Sequence, residues 1–299
     1  MRRTALAGLA GLAALALGGC ASATSYDAPL TVVRASSVDV GTTPDCVKGN
    51  QACIDSVVAE MDRRYLKLAP ACDHRAPFAL MYMRVTEGVK RPAAGRFHDQ
   101  NYLRRLDAQF ARLYFRAFDS YQAGRPADGA WQIAFDSARS GQTTGIGDML
   151  LGMNAHISND LPFALLAAGL KERDGRSAQA DFDSVNNLLG DVQAPMIKEE
   201  SRLFEPGIAG ATLPYLGVHG GELATVIAGW RTEAWQNAEQ MLAATGAFGR
   251  AKIALRIRAA AAQRAQVIQA LASNRLLGGD AKLRDAYCRT RGAGAHPPG

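Results

Sequence analysis

The chain has 299 residues, of which 48% are hydrophobic, and its 34 basic and 28 acidic side chains give a net charge of +6. That length and apolar content are enough for a substantial buried core and exclude an intrinsically disordered chain. No internal apolar run reaches the roughly 20 residues that a membrane-spanning helix needs.

Arg2 and Arg3 precede an apolar stretch from Ala5 to Leu17, too short to cross a bilayer but suited to the core of a signal peptide. Leu17-Gly18-Gly19-Cys20 follows and resembles the recognition box of bacterial prolipoprotein processing. Residues 1–19 therefore read as a signal peptide, and Cys20 as an acylated residue that tethers the chain to the membrane of the cell envelope. Soluble secretion after cleavage at Ala21-Ser22-Ala23 is the alternative. Either route exports the chain, so no nucleic-acid partner is expected. Losing the two arginines of the leader lowers the net charge from +6 to +4. Residues 20–44, rich in Ser, Thr, Ala and Gly, read as a lipidated, disordered tether, residues 45–291 as a single domain and residues 292–299 as a disordered tail.

With Cys20 acylated, Cys46, Cys53, Cys72 and Cys288 remain, an even number suited to two disulfides in an oxidising space. Cys53 and Cys72 lie near opposite ends of one expected helix. Its fifteen residues span about 22 Å, against about 5.5 Å between bridged Cα atoms. The preferred pairing is therefore Cys46–Cys53 and Cys72–Cys288. None of the four forms a Cys-x2-Cys pair of the kind that binds zinc.

Apolar residues recur at intervals of three and four almost throughout, and strand-like alternation is nearly absent, so the expected fold is all-α, a bundle of about eight to nine helices. The spacing predicts helices over Gln51–Leu68, Pro77–Val89, Asp99–Gln122 and Ala127–Arg139. A fifth begins near Ile146 and is kinked by Pro162 before Leu170. Gln179–Arg202 is expected to be kinked or divided at Pro195, and Glu222–Ala244 and Phe248–Leu277 close the bundle. The Gly- and Pro-rich stretch from Glu205 to Gly221 reads as an irregular loop. Trp230 and Trp235, five residues apart, cannot share a face, so one is expected in the core and the other along a groove. The C-terminal segment from Gly246 holds ten Lys or Arg against two Asp, a charge suited to an anionic membrane surface or to a solvated helix face.

The densest polar cluster inside an apolar helix runs from Gly147 to Pro162. Gly152, His156 and Asp160 share one helical face there, with Asn154 nearby. A His and an Asp four residues apart can both reach one metal ion. His98-Asp99 and the pair His219 and Glu222 offer further ligands that helices could gather around one or two divalent ions, activating water for hydrolysis. The plainer reading makes His156 a hydrogen-bonded core residue and Asp160 and Asp99 helix caps. A serine hydrolase is not expected, because no Gly-x-Ser-x-Gly elbow is present.

Residues 153–162, Met-Asn-Ala-His-Ile-Ser-Asn-Asp-Leu-Pro, together with Ala234-Trp235-Gln236-Asn237-Ala238-Glu239, the stretch Leu106 to Phe115 and Tyr82 to Glu87, resemble the bacterial domain of unknown function family numbered 5995, over roughly residues 50–275. The resemblance implies one helical domain with His156 and Asp160 in its signature and assigns neither a role. Helical zinc phospholipases and single-strand nucleases share only the His-x-x-x-Asp spacing, and the few histidines here do not supply their three-zinc site. The functional expectation is an envelope-anchored lipoprotein with a ligand-binding or hydrolytic cleft around Asn154, His156 and Asp160. As an enzyme it would be a metal-dependent hydrolase, and the alternative is a non-enzymatic structural or interaction lipoprotein.

Overall fold

A computed structural model describes residues 30–36, 38–210 and 223–291. The leader, Cys20, His219, Glu222 and the tail from residue 292 lie outside the described residues. Regular structure within them is helical, apart from one isolated antiparallel bridge between Lys171 and Ser177.

The chain opens with a short helix, α1 (Pro44–Lys48), whose first turn is capped by the Thr43 hydroxyl accepting from the Cys46 amide. Gly49 ends it at φ 68°, and a Cβ there would stand 1.9 Å from the Asn101 carbonyl oxygen, so only glycine closes this turn. Asn50 then caps α2 (Gln51–Leu68) by accepting from the Cys53 amide. Helices α3 (Ala76–Lys90) and α4 (Gln100–Gln122) follow, the latter capped by Asp99. Next come α5 (Gly129–Ser140) and α6 (Gly145–Met153), which runs through a π-helical stretch, Asn154–Asp160, into α7 (Leu161–Ala168). The C-terminal half comprises α8 (Gln179–Leu203), α9 (Leu223–Ala243), α10 (Gly246–Ser273) and α11 (Ala281–Arg291).

Three local features add to the sequence reading. At Pro162 the rod widens into π turns, with the Leu161 amide donating five residues back to the His156 carbonyl. A proline lacks the amide of the regular ladder and crowds the carbonyl four residues earlier, and a widened turn absorbs both. Pro195 sits inside an unbroken α8, on its exposed side, where water can satisfy the carbonyl it leaves free. Helices α1 and α11 were not legible as apolar patterns. The residues that α11 buries are Arg284 and Cys288, a face with no apolar period to read.

Two apolar clusters make the core. The larger joins α2, α3, α4, α5, α6 and α10 through side chains such as Val57, Phe78, Tyr114, Trp131, Leu150 and Ile268. The smaller joins α4, α7, α8 and α9 through Leu106, Leu165, Phe182 and Trp235. Helix α9 bridges them: Trp230 packs into the first and Trp235 into the second, so both tryptophans are core, and neither is left for an exposed groove.

Cys46–Cys53 and Cys72–Cys288 are the two disulfides, with Cα atoms 4.6 and 5.9 Å apart. The expected tether divides at Leu30, from where the chain is fastened to the helices. Val33 is buried and exchanges both of its backbone hydrogen bonds with the Gln122 side chain, the Thr31 amide donates to Asp73, and Asp39 pairs with Arg112. No helix among the described residues is long and apolar enough to cross a membrane.

Candidate binding cavity

The rod formed by α6, the π stretch and α7 packs against α3, α4, α5, α9 and α10 and carries His156 on its π stretch. Gly152 makes this position possible. A Cβ there would lie 2.3 Å from Phe78 Cγ, so a glycine lets α6 approach α3 until Phe78 and Tyr82 reach the imidazole. The Phe110 ring, from α4, lies flat against His156 with centroids 3.4 Å apart, and Tyr114 and Trp131 complete an aromatic enclosure.

Inside that enclosure His156 Nδ1 is 3.2 Å from Asp160 Oδ2, which also accepts from Trp131 Nε1 at 2.8 Å. The Asn159 amide donates to the other Asp160 oxygen. Asp160 therefore makes no helix cap and acts as the partner that orients His156. The opposite ring nitrogen, Nε2, is buried without a hydrogen-bond partner among the described residues. Burial lowers the pKa of His156 more than Asp160 raises it, which keeps the ring neutral. Asn154 turns the other way and donates to the Ala261 carbonyl at 2.8 Å, fastening the rod to α10 without lining the space beside His156.

That space is a cavity of about 80 Å³ between α3, α4, the π stretch, α8 and α9. Its wall is mostly apolar, including Val85, Leu103, Val185, Leu189 and Ile227. Four residues with polar groups interrupt it: His156, Asp107, Arg231 and Tyr82, whose hydroxyl is buried without a partner among the described residues. Asp107 accepts one weak hydrogen bond, at 3.4 Å from Thr86, while its Oδ2 is buried without a partner among the described residues. Burial pushes its pKa up to about 7. Arg231 reaches the cavity from α9, and burial lowers its pKa to about 10.

Of the expected metal ligands, His219 and Glu222 lie outside the described residues, and among the described ones His98 and Asp99 are not brought to His156. Asp160 and His156 Nδ1 are engaged with each other, and the Asn154 amide nitrogen is bonded to α10 while its Oδ1 is buried without a partner among the described residues, so of this trio only His156 lines the cavity. His98 and Asp99 belong to another cluster. The Asp99 side chain caps α4 by accepting from the Tyr102 amide, and His98 Nδ1 is 2.6 Å from Glu172. The potential ligand atoms of His98, Glu172 and Asp174 do lie within 4.8 Å of one another, but the Arg176 guanidinium stands among them, bonded to His98 and Asp174.

Sequence reasoning missed Asp107, Arg231 and the aromatic enclosure. A signal existed for the first: Leu103, Leu106, Asp107 and Phe110 follow one helical stripe, so a carboxylate occupies a core position of α4. Nothing comparable marks Arg231, whose role depends on α8 lying beside α9.

The fold and this cavity define an all-helical protein whose bundle encloses a small apolar space bordered by a histidine and two charged side chains. The chain belongs to a family of unknown function, DUF5995, which it matches over residues 54–271. The match runs from α2 into α10 and takes in every polar group of the cavity, whereas Cys46, Cys53 and Cys288 fall outside it. No curated protein and no solved structure matches the chain.

Proposed function

We propose that this protein is an envelope-anchored lipoprotein whose helical domain binds a small, largely apolar molecule in the cavity beside His156. One observation carries the reading. Three buried polar atoms, His156 Nε2, Asp107 Oδ2 and the Tyr82 hydroxyl, lack partners among the described residues while their side chains border the same apolar space. Leaving such atoms unsatisfied costs about 1–3 kcal/mol each, and a ligand with a hydrogen-bonding group beside its apolar body would remove that cost. Binding of neutral probes such as 1-butanol and 1-pentanol tests it. Both should raise the melting temperature of the purified protein, and Val85→Trp, which fills the space, should abolish the shift. A protein that takes up neither probe overturns the reading.

Asp107 favours a hydrolytic second reading. A carboxyl titrating at about 7 is a proton donor near neutral pH, and a neutral imidazole with a free Nε2 is an acceptor, the two halves of general acid–base chemistry. His156 would take the proton of an attacking water, with Asp160 holding the ring in place.

The membrane location rests on the leader and Cys20, and α10 supports it. No Asp or Glu occurs from Gln240 to Gly279. Phe248 and Leu255, seven residues apart on one face and opposite the buried Ile257, are 84% and 68% exposed. Lys252, Arg256 and Arg258 flank that stripe, an arrangement suited to anionic lipid headgroups. Cys20→Ala should move the protein out of the membrane fraction, and unchanged retention would argue against the anchor.

A further inference from the structure

Besides Arg231, three arginines are deeply buried, and each has a carboxylate. Arg64 holds Glu60 and Asp119, Arg75 holds Asp73, and Arg284 holds Asp285. Arg231 is the exception. Its Nε donates to Asn186 Oδ1 at 2.8 Å and its Nη2 to the Phe182 carbonyl at 2.6 Å, both neutral acceptors. The guanidinium lies over the Phe182 ring, 4.1 Å from the centroid. The carboxylate that acts on it is Asp183, exposed on α8, which makes no direct ion pair with it, and among the described residues no acceptor is bonded to Nη1. A buried guanidinium without a directly paired carboxylate is costly to keep, yet this one forms part of the cavity wall.

From this we infer that the cavity takes a short-chain carboxylic acid, its carboxylate paired with Arg231 and its alkyl part lying against Val185, Leu189 and Ile227. The inference rests on the reading of the cavity as a binding site and adds the charge and size of the ligand. Val185 and Leu189 share α8 with Phe182 and Asn186, and Ile227 precedes Arg231 by one turn of α9. The apolar wall and the cation are therefore built on the same two helices. An arginine presents a planar pair of N–H groups that a carboxylate meets with two parallel hydrogen bonds. Size follows from volume. A cavity of 150 Å³ accommodates benzene, so one of about 80 Å³ accommodates an alkyl group of roughly three to five carbons. Asp107 and His156, on α4 and the π stretch, border the rest of the ligand, where a hydroxyl on its chain would supply the hydrogen bonds that Asp107 Oδ2 and His156 Nε2 lack.

Calorimetric titration of the full-length, detergent-solubilised protein at pH 8 and low salt tests this with four probes: butanoate, hexanoate, 1-pentanol and pentylammonium, whose alkyl parts have three to five carbons. The two carboxylates should bind about tenfold or more tightly than 1-pentanol, and pentylammonium should not bind. Arg231→Gln should bring hexanoate down to the affinity of 1-pentanol while leaving the alcohol unchanged. Should that variant fail to fold, the wild-type ranking of the probes decides alone. Equal affinity for hexanoate and 1-pentanol overturns the acid ligand and leaves the apolar site standing. Uptake of none of the four by folded protein overturns both.

Discussion

Asp160 Oδ2 lies 3.2 Å from His156 Nδ1 and accepts the Trp131 indole N–H at 2.8 Å, so one buried carboxylate holds two aromatic rings in place. The arrangement puts the imidazole proton on Nδ1 and the lone pair on Nε2, facing the cavity. Asp160→Asn removes the charge that favours this tautomer and sets an amide N–H against one of the two donors. The expected cost is about 2 kcal/mol in chemical unfolding, with the His156 ¹⁵N shifts moving from one tautomer to a mixture. Unchanged ring shifts would show that Asp160 does not orient His156.

Asp107 gives the protein a pH dependence of definite sign. Its folded pKa is about 7, against 3.8 for the free side chain, because burial penalises the ionised form. The folded state therefore holds a proton that the unfolded state has released between those two values, and stability falls as pH rises from about 4 to about 7. The shift corresponds to about 4 kcal/mol as an upper bound. Asp107→Asn should flatten that slope and stabilise the protein at pH 8, with little effect at pH 4. Denaturant melts across this range check it, and parallel profiles for variant and wild type would remove Asp107 as the cause.

The helices were legible because their apolar residues recur at helical spacing: the expected limits of α2 match the observed ones, and α4 begins one residue late because Asp99 is its cap. The cysteine pairing was legible from distance alone, since a rigid helix keeps Cys53 from Cys72. The cavity was not. Its wall takes residues from seven elements, and the meeting of Asp107, His156 and Arg231 depends on how α4, the π stretch and α9 pack, which no local spacing encodes. The His-x-x-x-Asp pair was visible, but the spacing that allows two ligands on one ion also allows the Asp to hold the His. Trp131 and Asn159 bond to the Asp160 oxygens, and Trp131 comes from 29 residues away, so its contact is not encoded in the local spacing.

Gly152 sets how closely α6 approaches α3. Any added Cβ stands 2.3 Å from Phe78 Cγ and 2.8 Å from Phe78 Cβ, so the ring and its helix must both shift. Gly152→Ala should destabilise by about 1–3 kcal/mol, as overpacked cores do, even though alanine is the better helix former by about 1 kcal/mol. Because Phe78 also faces His156 and the cavity, probe binding should weaken in the same variant. A variant as stable as wild type would mean that α6 moves freely relative to α3.

His74, which no sequence pattern marked, fastens α11 from below. Its Nδ1 is 2.6 Å from Asp148 and its Nε2 is 3.1 Å from Asp285, with the Thr143 hydroxyl bonded to the other Asp148 oxygen. Burial pulls the His74 pKa down and Arg284 adds to that, but the Asp148 charge and the two hydrogen bonds outweigh them and leave it raised. The imidazolium thus stabilises the docked helix fully below about pH 6.5, and this contribution is lost as pH rises through the raised folded value. Asp285 responds at the other extreme. Held at about 2 by His74 and Arg284 against its burial, it gives up its contribution only as pH falls from about 4 toward 2. The Cys72–Cys288 bridge masks both effects by tying α11 covalently to residues 216 positions away. Replacing both cysteines by serine should cost about 5 kcal/mol on the chain-entropy account of a loop this long. In that variant, amides of Ala281–Arg291 should be well protected from hydrogen exchange at pH 6, after correction for the intrinsic rate, and lose protection by pH 9. His74→Gln in the same background should make protection equal at both values, and a pH-dependent loss that persists without His74 would place the switch on another group.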